Sequence, residues 1–102
     1  MSKQEYEIKP KNITKDSEET STISLISYEI ENANNNKLTK NKIDFQIKEL
    51  QRRKKFPSNL EYIDSHTDKK HGVTASAFLN KDTGKVIIGM TGTNFKKEAL
   101  AK

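Results

Sequence analysis

The stretch Lys85-Val-Ile-Ile-Gly-Met-Thr91 constrains this chain more than any other. Neighbouring side chains of an extended strand point to opposite faces. Val86, Ile87, Ile88 and Met90 therefore put apolar groups on both, and such a strand needs cover on both sides. Its partner precedes it: Val73, Ala75, Ala77 and Leu79 alternate with Thr74, Ser76, Phe78 and Asn80, the period of two that marks a strand. Between them, Asn80-Lys-Asp-Thr-Gly84 supplies turn chemistry, with Gly84 suited to a left-handed position closing a short hairpin loop. Gly89 interrupts the side-chain run and would admit a close neighbour. A sheet of two or three strands buries a doubly apolar strand poorly. More chain, or another copy, is expected beside Lys85–Thr91.

Core material elsewhere is scarce. The 102 residues suit about one domain. Only 31% are hydrophobic and 32% are charged, below the usual apolar share, so any core is small. Met1 to about Lys15 is polar, contains Pro10 and shows no helix or strand period; residues 1–15 are expected to be a disordered or loosely docked tail. Residues 16–102 then form a single small domain, or the N-terminal fragment of a larger one.

Two helices are expected ahead of the hairpin. The first covers roughly Ser17 to Asn32, where Asp16 and Glu19 resemble a capping box. Ile23, Ile26 and Ile30 share one face, which Leu25 and Tyr28 widen. Asn32-Ala-Asn-Asn-Asn36 ends it, because asparagine tolerates left-handed backbone and competes for backbone hydrogen bonds. The second covers about Lys40 to Lys55. Ile43, Ile47 and Leu50 form its stripe with Phe45 to one side, and Asp44 and the run Arg52–Lys55 match the helix dipole. Pro57 closes it. Leu60–Asp64 reads as a short strand and Ser65–Gly72 as a charged loop holding both histidines. The fold class is α+β: two N-terminal helices followed by a β-hairpin.

Several chemistries are excluded or weakly signalled. The chain has no cysteine, which removes disulfides, thiol catalysis and thiolate metal sites. Asp64-Ser-His-Thr-Asp68 gathers a serine, a histidine and carboxylates, but a working triad converges from separate elements. With His71 it also fits no established metal spacing. It reads as a solvated loop. No metal and no cofactor is expected. The net charge of +5 is spread along the chain and reads as solubility. Gln51-Arg-Arg-Lys-Lys55 carries no interleaved aromatics, so it reads as a helix-end charge cluster, with no nucleic acid as partner. There is no transmembrane segment, since the longest apolar run is Val86–Met90. The start of the chain shows no secretory signal. A cytoplasmic protein, or one exported without a classical signal peptide, is expected.

The sharpest candidate site is Met90-Thr-Gly-Thr-Asn94, directly after the apolar strand. A strand end followed by a glycine turn exposes backbone N–H groups and a hydroxyl, the donors that stabilise an oxyanion in acyl transfer. A hairpin of this form, with an apolar strand running into x-Gly-Thr, resembles the start of the fungal-type (class 3) lipase family of α/β-hydrolases. There a strand ends in Phe-Arg-Gly-Ser/Thr. Leu25-Ile-Ser-Tyr28 is similar to that family's early helix. The resemblance covers roughly Ser24 to Asn94. It implies that Gly92 permits the motif turn and that Thr93 contributes to the oxyanion hole. Met90 and Thr91 stand where the family carries phenylalanine and arginine. The family's nucleophile elbow, Gly-x-Ser-x-Gly, is absent from these 102 residues, as are the acid and histidine that follow it. The sheet would be an incomplete α/β-hydrolase-like one, expected to be inactive alone. Its partner would be the remainder of a hydrolase domain, another protein, or a second copy joined through Lys85–Thr91. A small non-catalytic interaction module using that exposed strand edge is the alternative.

Overall fold

The computed structural model describes residues 5–91. Two helices, α1 (Glu19–Asn35) and α2 (Lys40–Arg52), precede three strands, β1 (Leu60–Asp68), β2 (Val73–Asn80) and β3 (Lys85–Met90). The strands form an antiparallel sheet in the order β1-β2-β3. Both helices lie on one side of it, α1 over β2 and β3 and α2 over β1. The fold is α+β, in two layers around one core.

α1 starts at Glu19, two residues later than the sequence pattern indicates. Its N-cap is Glu18, whose carboxylate accepts from Thr20 N at 3.1 Å and Ser21 N at 2.9 Å. Ile23, Ile26, Ile30 and Ala33 are buried, while Leu25 and Tyr28 point outward and do not widen the buried face. The helix continues to Asn35 and closes in a Schellman motif: Lys37 takes φ +66°, Lys37 N donates to Asn34 O and Leu38 N donates to Ala33 O. α2 buries Ile43, Ile47 and Leu50. It ends at Arg52, three residues before the expected boundary, in the same motif. Lys54 takes φ +62°, Lys54 N donates to Gln51 O, and Lys55 N donates to Leu50 O. Pro57 follows that stop and does not cause it.

Segment 5–15 has no helix or strand, yet it docks firmly. Ile8 and Ile13 are buried in the core. The Gln46 side chain clamps the backbone on both sides of Glu7, donating to Tyr6 O at 2.9 Å and accepting from Ile8 N at 2.7 Å. Buried Glu29 accepts from Tyr6 OH at 2.8 Å and from Lys9 N at 2.9 Å. Isolated apolar residues in a polar segment carry no period, so these anchors left no pattern to read.

β1 is longer than Leu60–Asp64, and residues 65–68, expected as loop, complete it. A bulge at Ile63 lies between the pairs Tyr62–Phe78 and Asp64–Ala77. Phe56, Tyr62 and Phe78 form an aromatic cluster, with centroids 5.9 Å and 5.7 Å from Phe78. On β2 the buried side is Thr74, Ser76, Phe78 and Asn80; Val73, Ala75, Ala77 and Leu79 face away from the helices. Two bonds pin α1 over this polar side. Asn80 Nδ2 donates to Glu19 Oε2 at 2.6 Å, and Thr74 Oγ1 donates to Glu31 Oε2 at 3.1 Å. Helix 19–31 rises about 18 Å and strand 74–80 about 20 Å, so the two anchors match in length.

Candidate functional site

Gly92 and Thr93 lie outside the described residues. What the structure does describe is the platform from which they leave. Thr91 is buried immediately after β3. Its N–H donates to Thr74 O at 2.9 Å, while its hydroxyl accepts from Thr74 N at 2.9 Å and donates to Glu31 Oε2 at 3.2 Å. Every polar group this residue could turn toward a ligand is engaged, apart from its carbonyl. Thr91 is thus an anchor, and oxyanion donors at this strand end would have to come from the two residues after it.

The anchor belongs to a larger polar network. Glu31 Oε2 accepts from both Thr74 and Thr91. Thr67 and Thr74 share a hydrogen bond at 2.7 Å. One turn along α1, Asn34 Nδ2 donates to Thr67 Oγ1 at 2.9 Å and Ser65 Oγ at 3.3 Å, and Ser65 shares a bond with Tyr62 OH at 2.7 Å. Burial raises the Tyr62 pKa above its ordinary value, with smaller contributions from Asp64 and Asp44 opposed by the Ser65 bond. The network ties the last row of all three strands to the C-terminal half of α1. Glu31 sits 43 and 60 residues from its threonines, so no linear motif announces it. Glu31 and Asn34 stand three apart on α1, but that helix carries polar residues throughout its length, so the pair does not stand out in the sequence.

The Asp64–Asp68 cluster is dispersed by its strand. Ser65 and Thr67 face the helices; Asp64, His66 and Asp68 face the other way. His71 Nδ1 lies 2.8 Å from Asp68 Oδ2 in the β1–β2 turn, and that hydrogen bond holds the Asp68 carboxyl below its ordinary pKa. Serine and histidine on opposite faces of one strand cannot act on a common atom. Among the described residues no three His, Asp or Glu side chains converge as metal ligands. The basic run is divided as well. Arg52 pairs with Glu49, which raises the arginine pKa and lowers that of the glutamate, while Lys54 is in left-handed backbone closing α2. Among the described residues no helix is long and apolar enough to cross a membrane.

The remaining feature is the sheet face turned away from the helices. The register gives it three columns: Glu61, Asp64, His66 and Asp68 on β1; Leu79, Ala77, Ala75 and Val73 on β2; Val86, Ile88 and Met90 on β3. Val86 is 57% exposed and Ile88 55% exposed. Inner Ile87 packs against the core, and at Gly89 the helix comes so close that an added Cβ would run into Ile23. β3 is therefore covered on one face only, and among the described residues its outer edge pairs with nothing. The chain matches no family model, no curated protein and no solved structure.

Proposed function

We propose that the chain is the N-terminal segment of a lipase-like acyl-ester hydrolase, supplying the first strands of a larger sheet and inactive by itself. The observation that carries the reading is β3. It is apolar on a face that its own helices leave open, it forms a sheet edge, and it leads straight into Met90-Thr-Gly-Thr93. The Glu31–Thr74–Thr91 network supports it further, because a pinned strand end is what an oxyanion turn requires: donors preorganised where charge develops. Gly92 would allow the turn, and Thr93 would offer its N–H and hydroxyl to the oxyanion. The nucleophile, acid and base would come from a companion segment.

The test begins with the genome around the coding sequence. A continuing or adjoining frame with Gly-x-Ser-x-Gly is expected. Co-expressed with this chain, its product should hydrolyse p-nitrophenyl butyrate. Thr93→Ala should then lower kcat by about 10²–10³, the cost of one oxyanion-hole donor. An assembly without esterase activity, or one indifferent to Thr93→Ala, overturns the reading.

A second reading, a non-catalytic module that binds another protein by strand addition, rests on the character of the β3 edge. Lys85 is its one charged residue, and β3 has neither proline nor bulge, the features that usually blunt an edge. Hydrogen exchange across β3 distinguishes the two. Strand addition protects the outward amides of Lys85–Met90 without any ester hydrolysis.

A further inference from the structure

We infer that the open face of the sheet is the seat of an amphipathic helix from a partner polypeptide, apolar where it crosses β2 and β3 and basic where it borders β1. The proposal deepens the reading above by naming what covers the open face, and rests on it only in taking that cover to come from outside the chain. It does not depend on ester chemistry.

The face has a shape and a charge pattern. Ala75 and Ala77 form a low floor along its middle. Ile88 rises on one side and Asp64 and His66 on the other, and together these residues line a shallow depression. A helix is about 10 Å across with its side chains, and two neighbouring strands span about 5 Å between axes. A helix lying along the strands over β2 and β3 would cover both apolar columns and leave the β1 column at its flank. That column carries three carboxylates, Glu61, Asp64 and Asp68, and none of the outward positions of the three strands is a lysine or arginine. Lys48 lies near Glu61, and His71 bonds Asp68 from the turn. Asp64 has no ion-pair partner among the described residues. An occupant with lysine or arginine along that flank gains an attraction that an acidic one forfeits.

The same pattern argues against a second copy. Two identical faces stacked with aligned strands can be related by a two-fold axis along the strands or across them. The first places the carboxylate column of each copy over the partner's Val86–Ile88–Met90 column. The second places carboxylates over carboxylates. Either leaves charge on apolar surface or like charges opposed. The low alanine floor points the same way, since small side chains let a helix approach closely while the larger Ile88 and Met90 pack into its grooves.

The test uses two 16-residue helical peptides with the same apolar stripe. One has lysines along one flank, the other glutamates. Binding is measured by fluorescence anisotropy and mapped by methyl chemical shifts. The lysine peptide should bind at least tenfold more tightly, with shifts at Ala75, Ala77, Val86 and Ile88. Asp64→Asn with Asp68→Asn keeps the local backbone bonds and should weaken it roughly 2- to 30-fold, the range for two exposed charge pairs. Ile88→Glu, at an exposed position, should abolish it. Equal affinity for the two peptides, preference for the glutamate peptide, no binding, or shifts on another surface overturns the proposal. So does self-association in sedimentation that Ile88→Glu removes, which makes a second copy the occupant. Binding that appears only after residues 92–102 are deleted also overturns it, since the chain's own segment would then be the cover. Loss of the esterase reading alone changes none of these outcomes.

Discussion

Gly89→Ala tests the closest contact in the fold. In an uncrowded strand, replacing glycine by alanine stabilises by roughly 0.5–1 kcal/mol, because the unfolded chain loses freedom. At Gly89 there is no room for the added carbon. It would overlap Ile23 Cγ2, stand 2.9 Å from Ser27 Oγ and 3.1 Å from the Ile23 carbonyl oxygen. The methyl could rotate aside, but the carbonyl is backbone and Ser27 Oγ is held by donating to it at 2.7 Å. Relief therefore requires α1 to move off the sheet. Overpacking of this kind costs about 1–3 kcal/mol, so the net loss should be about 1–2 kcal/mol. For a domain of this size that lowers Tm by roughly 5–15 °C. Thermal and urea unfolding followed at 222 nm would measure it, with an unchanged m-value confirming that the folded state lost stability. Ile23→Leu removes the offending Cγ2, and its combination with Gly89→Ala should be less harmful than the sum of the two. A Gly89→Ala protein as stable as the parent, or a strictly additive pair, would refute the close packing of α1 on β3.

Three further expectations follow from the termini and the polar network. Lys37→Gly and Lys54→Gly each place glycine at a left-handed helix stop; relief of that conformation should outweigh added chain entropy and raise stability by about 0.5–1 kcal/mol, read as urea midpoints. Glu31→Ala leaves the Thr74 and Thr91 hydroxyls without their acceptor, a loss of about 1–3 kcal/mol accompanied by faster amide exchange at Thr74 and Thr91, whereas Glu31→Gln, which keeps one acceptor oxygen, should cost less. Glu18 has its pKa lowered below the ordinary 4.5, first by its bond from the Ser21 backbone and then by that from Thr20. A depressed carboxylate contributes stability that is present above its unfolded pKa and is lost as pH falls through the folded one. α1 should therefore loosen as pH drops below about 4.5, and an exchange-monitored pH series on Glu18→Ala should lack that step.

The sequence made the local periodicities legible and hid what depends on distant partners. Ile43, Ile47 and Leu50 announce α2, and the hairpin from Val73 to Thr91 is written in alternation, turn residues and Gly89. Helix ends were harder. Glu18 caps α1 although glutamate is not a preferred cap, and two lysines adopt the conformation usually left to glycine. The second half of β1 looked like loop because its inward residues, Ser65 and Thr67, are satisfied by Asn34 rather than by apolar packing. Ile8 and Ile13 join the core from a segment with no period at all. In the candidate site, the emergence of Gly92 and Thr93 from an apolar strand is plain in the sequence. The Glu31 anchor behind it is not.

β2 shows why the open apolar face is a property of the chain and not leftover hydrophobicity. A shift of one residue in pairing would exchange its two sides, turning Val73, Ala75, Ala77 and Leu79 toward the helices and Thr74, Ser76, Phe78 and Asn80 toward water. That register would bury more small apolar side chains but would expose Phe78, the centre of the aromatic cluster with Phe56 and Tyr62. Three features hold the observed one. The Asn80–Gly84 turn fixes the β2–β3 pairing, with Gly84 at φ +77° and Gly84 N donating to Asn80 O. The bulge at Ile63 corrects β1 against β2. Gly89 must face α1, because no side chain fits beneath Ile23, and Ser76 lies beside it in the same row. Close approach of the helix therefore selects Gly89 and Ser76 beneath it, while Phe78 and Ile87 fill the inner side in the next row, and Glu19 and Glu31 satisfy the polar groups at its two ends. The apolar side chains of β2 and β3 are left facing outward in an ordered array beside a column of carboxylates. The turn, the bulge, the Gly89 contact and the burial of Phe78 together fix which side chains the sheet turns outward, and a peptide docking on that face would meet this pattern and no other.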